Sequence, residues 1–345
     1  MTFLYYHSTV SVISKIHFFH TVDESFSCHI FPDSDGVRSP IRTPAHCIRG
    51  VFIMTLLGCQ IFSTIAQEGS FARAADRLHL TPSAISHAVA GMENECGFPL
   101  FTRTKTGVTM TAAAESLLPA IRRVLASNES LDQSIAQING LHKGVLRLGV
   151  FNSACVVWLP QLVPAFTADY PGIDVQIYQG SYADIASWLK SGTVELGFLS
   201  DSCAQDLDFT PLYTDPLVCI APLNFPTRRP GRVMAEELRG RPFVSQRSDT
   251  DADIQNYLKH NDLNVHISCY VIDDESMVEM VACGQGVAIM PQLLLTRQGA
   301  ASSVQVLALE PPSGRSIGLA CLDRNSLSPA AREFGRRIRL FSKEL

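Results

Sequence analysis

The sequence predicts a multidomain α/β chain, and three patterns within its 345 residues carry that expectation. Residues 54–111 hold three short helical patterns followed by a hairpin. Residues 112–140 repeat apolar side chains at alternating steps of four and three, the mark of one long helix with an apolar seam. From residue 145 onward, short apolar runs alternate with helical stretches, twice over, as in parallel sheets covered by helices.

The first helix runs from Leu56 to about Gln67, with Leu56, Phe62, Ile65 and Ala66 facing inward. The second opens at Ser70, a residue suited to cap a helix, and sets Phe71, Ala74, Ala75 and Leu78 on one face. After a break at His79 and Leu80, Thr81 caps a third helix and Pro82 fills its first position, where a missing N–H costs nothing. Ile85, Ala88, Val89 and Met92 form its apolar side, and Ser83, Ser86, His87 and Ala90 form an opposite stripe of small or polar residues. A helix entering a DNA major groove needs such a stripe, because small side chains admit base edges and hydroxyls bond them. A plain helical hairpin in an all-helical core has the same periodicity, and pattern alone does not separate the two. Gly97 stops the helix at a left-handed position. Phe98 to Met110 then forms a small hairpin around Thr104–Gly107, with Arg103 and Lys105 near its tip.

From Met54 to about Thr111 the chain resembles the N-terminal DNA-binding domain of the LysR-type transcriptional regulators. The matching positions are Phe62, Ile65, Ala66, Gly69, Ser70, Phe71, Ala74, Ala75, Leu78, Thr81, Ser83, Ala84, Ile85 and Ser86, continuing through Glu93, Gly97, Leu100, Phe101, Arg103 and Thr111. Cys96 and Met92 stand where the family has leucine, and Ala114 where it often has glycine; none lies on the reading stripe. The resemblance implies a winged helix-turn-helix, a long linker helix that dimerises, and a C-terminal two-lobed α/β effector-binding domain of the periplasmic-binding-protein type. It implies double-stranded DNA at an inverted-repeat promoter site as partner, a homodimer paired into a homotetramer, and RNA polymerase as a further contact. Ser70, Thr81, Pro82, Ser83, Ser86, His87, Arg103 and Lys105 are the expected DNA-binding residues. Arg103 and Lys105 serve either as wing contacts to the backbone or minor groove, or as two solvated charges at a turn.

Residues 1–53 lack sustained periodicity and a basic segment ahead of an apolar core, so they do not read as a signal peptide. They are expected to be a poorly structured extension, or to lie upstream of a natural start at Met54.

Composition bounds the function. The formal net charge is −5, and within the N-terminal domain Arg73, Arg77, Arg103 and Lys105 are matched by Glu68, Asp76, Glu93 and Glu95. A DNA reader built this way relies on a few placed contacts, helix N-termini and the doubling of sites in a dimer, not on bulk charge. Ten cysteines, without a C-x-x-C pair or a cysteine–histidine cluster, read as small hydrophobes in a reducing cytoplasm. No apolar run reaches the roughly 20 residues of a membrane span. No metal or cofactor is expected, and the protein is placed in the bacterial cytoplasm, on the nucleoid when DNA-bound.

Thr111 caps the long helix, which runs to about Gly140. Leu117, Ile121, Val124, Asn128, Leu131, Ile135 and Ile138 form its heptad seam and are the expected dimerisation residues. Asn128 is the polar member that fixes register, and Pro119 predicts a bend or break. The competing reading packs the seam on the chain's own C-terminal domain.

The C-terminal domain, 145–345, begins with strand 144–150, a helix over 153–169, strand 173–179, a helix over 182–191 and strand 194–199. A second set follows: strand 241–245, a helix over 251–260, strand 265–272, a helix over 275–283 and strand 286–290. Joints near Pro222 and Pro291 divide the domain into lobe I, about 145–221 and 304–345, and lobe II, about 222–303. Ligands of open α/β sheets bind beyond the carboxyl ends of strands. Those ends carry Asn152, Ser153, Gly180, Ser181, Ser200, Asp201, Ser245 and Gln246, the expected effector-binding residues. Most are uncharged hydrogen-bonding groups near helix N-termini, which suits a small anionic metabolite, although each serine also serves as a simple cap and Asp201 opposes an anion.

The expected function is sequence-specific transcription regulation modulated by that metabolite. The alternative is an enzyme or small-molecule binder built on the same two-lobed domain. Gly284-x-Gly286 precedes a strand and reads as a turn, and no G-x-S-x-G elbow, H-E-x-x-H helix or Walker motif appears. A transport-type solute binder has no use for the N-terminal helices.

Overall fold

The computed structural model describes residues 54–104, 107–140, 142–246, 252–296 and 302–343. The expectations for 1–53 and for Lys105 lie outside the described residues.

Helix α1 (Leu56–Glu68) starts on Thr55, whose hydroxyl accepts the Gly58 amide at 3.0 Å. Helix α2 (Phe71–Leu78) starts on Ser70, whose hydroxyl accepts from Arg73 N at 3.4 Å, and ends on His79 at φ 54°. Helix α3 (Pro82–Cys96) is capped by Thr81 through the Ala84 amide at 3.2 Å and closed by Gly97 at φ 78°. Phe62, Ala74, Ala75, Ile85, Val89 and Leu100 form the buried core between them. Strands β1 (Phe101–Thr104) and β2 (Gly107–Met110) pair antiparallel as the expected hairpin. Two contacts hold it: Glu93 Oε1 accepts the amides of Leu100 and Phe101 at 2.7 and 3.1 Å, and Val108 N donates to the Gly69 carbonyl at 2.9 Å. That approach requires glycine at 107, where φ is 147° and a Cβ would stand 2.7 Å from the Gly69 oxygen.

Helix α4 (Ala112–Ile138) is continuous through Pro119, so of the bend or break expected there, the break does not occur. Ala114, Leu117, Leu118, Ile121 and Leu125 pack into the N-terminal core on both sides of it, and this tertiary contact offsets the lost backbone bond. The seam is corrected at the same end. Leu117 and Ile121 are committed to the chain's own core, whereas Val124, Leu131, Ile135 and Ile138 are exposed at 51, 57, 49 and 86%. Asn128 is half-buried and its amide donates to Asp132 at 3.3 Å. Elsewhere on the helix, buried Gln133 donates to the Val145 carbonyl at 3.1 Å and accepts from Ala330 N at 3.3 Å, while Glu129 pairs with Arg147 at 2.8 Å. These bonds fix α4 to the C-terminal domain.

In that domain β3 (Gly144–Val150), β4 (Ile173–Gln179) and β5 (Leu196–Ser200) pair in parallel, with β3 central. The helix expected over 153–169 is two helices, α5 (Asn152–Val157) and α6 (Leu159–Asp169), because Pro160 has no amide to give to the Val156 carbonyl. Helix α7 (Tyr182–Lys190) follows β4 behind a capping box in which Ser181 and Asp184 bond reciprocally.

The strand β6 (Asp208–Pro222), which contains Pro211 and Pro216, has no counterpart in the sequence reading. The rest of the order is β7 (Arg232–Met234), α8 (Ala235–Leu238), β8 (Pro242–Gln246), α9 (Ala252–His260), β9 (His266–Val271), α10 (Asp274–Ala282), β10 (Ala288–Pro291), β11 (Val304–Glu310), β12 (Gly314–Cys321) and α11 (Pro329–Phe341). Asp208–Pro216 of β6 pairs with β12 in lobe I, and Leu217–Pro222 pairs with β10 and β11 in lobe II. One strand therefore runs through both lobes. The lobe boundaries move accordingly: the tail of β6 and all of β11, expected in lobe I, belong to lobe II, and the chain crosses near Pro216 and just before Gly314. A run of apolar residues declares a strand but not its partner. The Gly284-x-Gly286 segment is a turn between α10 and β10, as expected.

Candidate functional site

The first surface is the outer side of α3. Ser83, His87 and Ala90 are exposed and Ser86 is half-buried, so the polar stripe faces solvent. Gly91 and Asn94 extend it at the four- and seven-residue steps from His87, a continuation readable from the same periodicity. Thr81 and Pro82 lie at the helix entrance, where the Thr81 and Ser83 hydroxyls stand 3.0 Å apart. Ser70 sits at the entrance of α2. Arg73 and Arg77 are both drawn to Glu68, the Arg77 pair closing at 2.6 Å. Arg103 is exposed on β1 with its guanidinium over the Phe71 ring of α2, 5.2 Å from the ring centre.

The second is a cavity of about 310 Å³ between the lobes. Asn152, Ser153, Gly180 and Ser181 line it from lobe I and Gln246 from lobe II. Ser200, Asp201 and Ser245 do not, which corrects the expectation. Strand β5 leads into a short 3-10 turn rather than a helix: Ser200 is buried and accepts from the Ser202 hydroxyl at 3.2 Å, and Asp201 binds the Ser202 amide at 2.9 Å. Ser245 precedes Gln246 on a strand, so its side chain takes the opposite face and its hydroxyl donates to the Gln246 carbonyl at 2.9 Å.

The cavity region also contains residues that sequence reasoning missed. Arg315 and Asp215 are cross-strand partners on β12 and β6, at the crossing between lobes, and are 4 and 0% exposed. Arg315 donates to Asp215 Oδ2 from Nε and Nη2 at 3.1 and 2.8 Å, to the Tyr182 hydroxyl at 2.7 Å and to Ser153 Oγ at 2.7 Å. Asp215 Oδ1 accepts the Leu293 amide at 2.9 Å. Burial pushes the Asp215 carboxyl up, opposed by the Arg315 charge and backbone amides. Opposite them, Asp274 at the first turn of α10 accepts from Asn152 Nδ2 at 2.6 Å and from Gln246 Nε2 at 2.7 Å. Asn152 belongs to lobe I, so this carboxylate joins the two lobes. Burial raises Asp274 as well, whereas Asp273 caps α10 through the Ser276 amide at 2.7 Å and is lowered by that bond.

Ser153 accepts from Arg315, and Ser181 caps α7. Among the described residues no three histidine, cysteine, aspartate or glutamate side chains converge as a metal site, and no helix is long and apolar enough to cross a membrane. The described cysteines are free; burial pushes Cys219 up to about 12 and Cys321 to about 11.

Residues 58–115 match the family model described as a bacterial regulatory helix-turn-helix protein of the lysR family, and residues 139–340 match the LysR substrate binding domain. The chain belongs to the LysR family of transcriptional regulators. The helix-turn-helix of this LysR-family regulator is its DNA-binding domain, and the two-lobed domain is its effector-binding domain. Among its relatives is the transcriptional regulator IlvY of Escherichia coli, 28% identical over 74% of this chain and 88% of that protein. A full-length, singly substituted OxyR from Pseudomonas aeruginosa is similar in fold, with a TM-score of 0.69, 23% identity, and coverage of 83% of this chain and 95% of that one. The effector binding domain of QuiR in complex with shikimate covers 59% of this chain and 98% of its own, with a TM-score of 0.52 and 26% identity.

Proposed function

We propose that this regulator works as a homodimer, paired into a homotetramer, that grips an inverted-repeat promoter site and shifts its grip when a small anionic metabolite enters the inter-lobe cavity. Ser83, Ser86 and His87 read base edges. Ser70, Thr81 and Pro82 place helix N-termini against phosphates, and Arg103 with Lys105 holds the flanking backbone or minor groove. The exposed row Val124, Leu131, Ile135 and Ile138, with Asn128 among them, is the surface for the second copy. Asn152, Ser153, Gly180, Ser181 and Gln246 line the effector seat; shikimate, the ligand of the QuiR domain, is a carboxylate and belongs to the class proposed here. Domain limits of 54–111, 112–140 and 145–345 follow this division of labour. The protein regulates rather than catalyses, acts on DNA in the bacterial cytoplasm, and has RNA polymerase within reach as a partner.

One observation carries the reading: a single chain joins an exposed, Thr81-capped polar helix face to a cavity between two lobes that share a through-running strand. An effector that favours one lobe arrangement shifts the DNA-bound population only through different affinities for the two states. The test is a gel shift on the promoter region beside the protein's own gene, with random DNA as competitor and a carboxylate panel as additive. Retardation of random DNA equal to that of the promoter would sink the site-specific reading, and indifference of the complex to every carboxylate would sink the effector reading.

A further inference from the structure

The amide groups that hold Asp274 form a seat for a carboxylate, and the structure shows a carboxylate sitting in it. Asn152 Nδ2 and Gln246 Nε2 approach separate oxygens of Asp274 at 2.6 and 2.7 Å, one from each lobe. The donor end of Asn152 is set from behind, because its Oδ1 accepts from Gln179 Nε2 at 3.2 Å. We propose that Asp274 is a built-in competitor for the effector: the carboxylate of the metabolite takes the place of the Asp274 side chain between Asn152 and Gln246, and in doing so replaces an internal tie between the lobes by a ligand. This rests on the inter-lobe cavity being the effector site.

Charge decides for exchange over addition. Among the described residues Arg315 is the cation lining the cavity, and it bonds Asp215, Ser153 and Tyr182, so its charge is already matched by the buried Asp215. An anion entering with Asp274 still in place would set two carboxylates against one another beside a neutralised pair, an arrangement that strongly disfavours ionising both. Exchange leaves the charge of the seat unchanged. Release of Asp274 is also local. The neighbouring Asp273 holds the start of α10 through the Ser276 amide and hydroxyl at 2.7 and 2.9 Å, so the helix end stays fixed while the Asp274 side chain turns. Ile272, two residues before Asp274 and also lining the cavity, is 83% exposed, which puts solvent close to the outgoing carboxylate. Burial holds Asp274 above the ordinary carboxylate range, and return to water relieves that burial. A competitor tethered in the seat lowers the apparent affinity of the effector by the fraction of time the seat is filled, and so sets the concentration at which the regulator responds.

The test uses full-length protein and formate as the probe, with chloride at equal ionic strength as reference. Asp274→Ala empties the seat, and formate is expected to raise its melting temperature by several degrees in a saturable, millimolar titration. Wild type and Asp274→Asn, whose seats remain filled, are expected to follow chloride. Asp274→Ser serves the same purpose as Asp274→Ala if the latter does not fold, and adding Asn152→Ala to either should abolish the formate response. A formate response in wild type equal to that of the emptied variants, or none beyond chloride in the emptied variants, overturns the proposal. Stabilisation of wild type by methylammonium that is lost in Asp274→Ala also overturns it, since Asp274 would then be the anchor for a cation. The readout needs no DNA. Formate rescue with a carboxylate-indifferent gel shift would leave the seat standing while the effector reading fell.

Discussion

At the scale of single residues, Arg315 and Asp215 show how a buried charge can be structural inside a binding cavity. The pair is desolvated, spans the strand crossing between lobes, and is satisfied by Ser153, Tyr182 and the Leu293 amide. Removing one partner strands the other, so Arg315→Ala is expected to cost about 3–5 kcal/mol of unfolding free energy by denaturant titration. Arg103 is the contrasting case, an exposed cation positioned on Phe71. Arg103→Ala should weaken binding to all DNA sequences alike and lower the salt slope of log K by about one, read from fluorescence anisotropy across a salt series. His87→Ala should instead broaden sequence choice at one or two base positions, read by competition between site variants. None of the groups around Arg315 was visible as a set in the sequence. They come together over separations of 100, 133 and 162 residues, and no local pattern reports such a meeting.

At the scale of elements, the helix limits were legible because caps are local chemistry. Ser70, Thr81 and Gly97 each do at short range what their type allows, and Ser181 does so at the cleft. The partner of α4 was legible only in part. The same heptad spacing holds Leu117 and Ile121 in the chain's own core and leaves Leu131 and Ile135 in solvent, since periodicity describes a face and not what covers it. Two opposite outcomes follow. Leu131→Lys with Ile135→Lys should raise the dimer dissociation constant more than tenfold in analytical ultracentrifugation while far-UV circular dichroism stays unchanged, given roughly 1.5–3 kcal/mol per buried aliphatic side chain. Ile121→Ala should destabilise the N-terminal domain by about 2–5 kcal/mol, seen in its own unfolding transition. Strand β6 escaped notice for a related reason. Two prolines mark it as an edge or a break, whereas in the folded chain the second, Pro216, falls where β6 changes lobes.

At the scale of the whole molecule, burial of carboxylates sets the acid response. Glu195, Asp215 and Asp274 are all raised above their ordinary values by burial, so the folded state binds protons more readily than the unfolded state. Their contribution is fully present below the unfolded values and lost as pH rises through the folded ones. Asp184, Asp273 and Glu333 are lowered by hydrogen bonds and act in the opposite sense, losing their contribution as pH falls through their folded values. Stability should therefore rise as pH drops from neutrality toward the ordinary carboxylate range and fall below it, with a maximum on the acid side of neutral in denaturant titrations. The Thr81-capped helix, the caps, the hairpin, the long helix α4 and the two rounds of strand and helix were legible along the chain, because each depends on neighbours within a few turns of chain. Five of the eight expected effector residues, Asn152, Ser153, Gly180, Ser181 and Gln246, also line the cavity, since strand ends are local features. Only the tertiary structure decided that β6 and β12 carry a buried ion pair across the lobe crossing, that Ser200, Asp201 and Ser245 turn away, and that Asp274 closes the cleft from the far side. Those outcomes depend on which distant segments share a sheet and on the side of a strand a residue takes once its partners are chosen. Long-range packing makes those choices, and residue order along the chain does not display them.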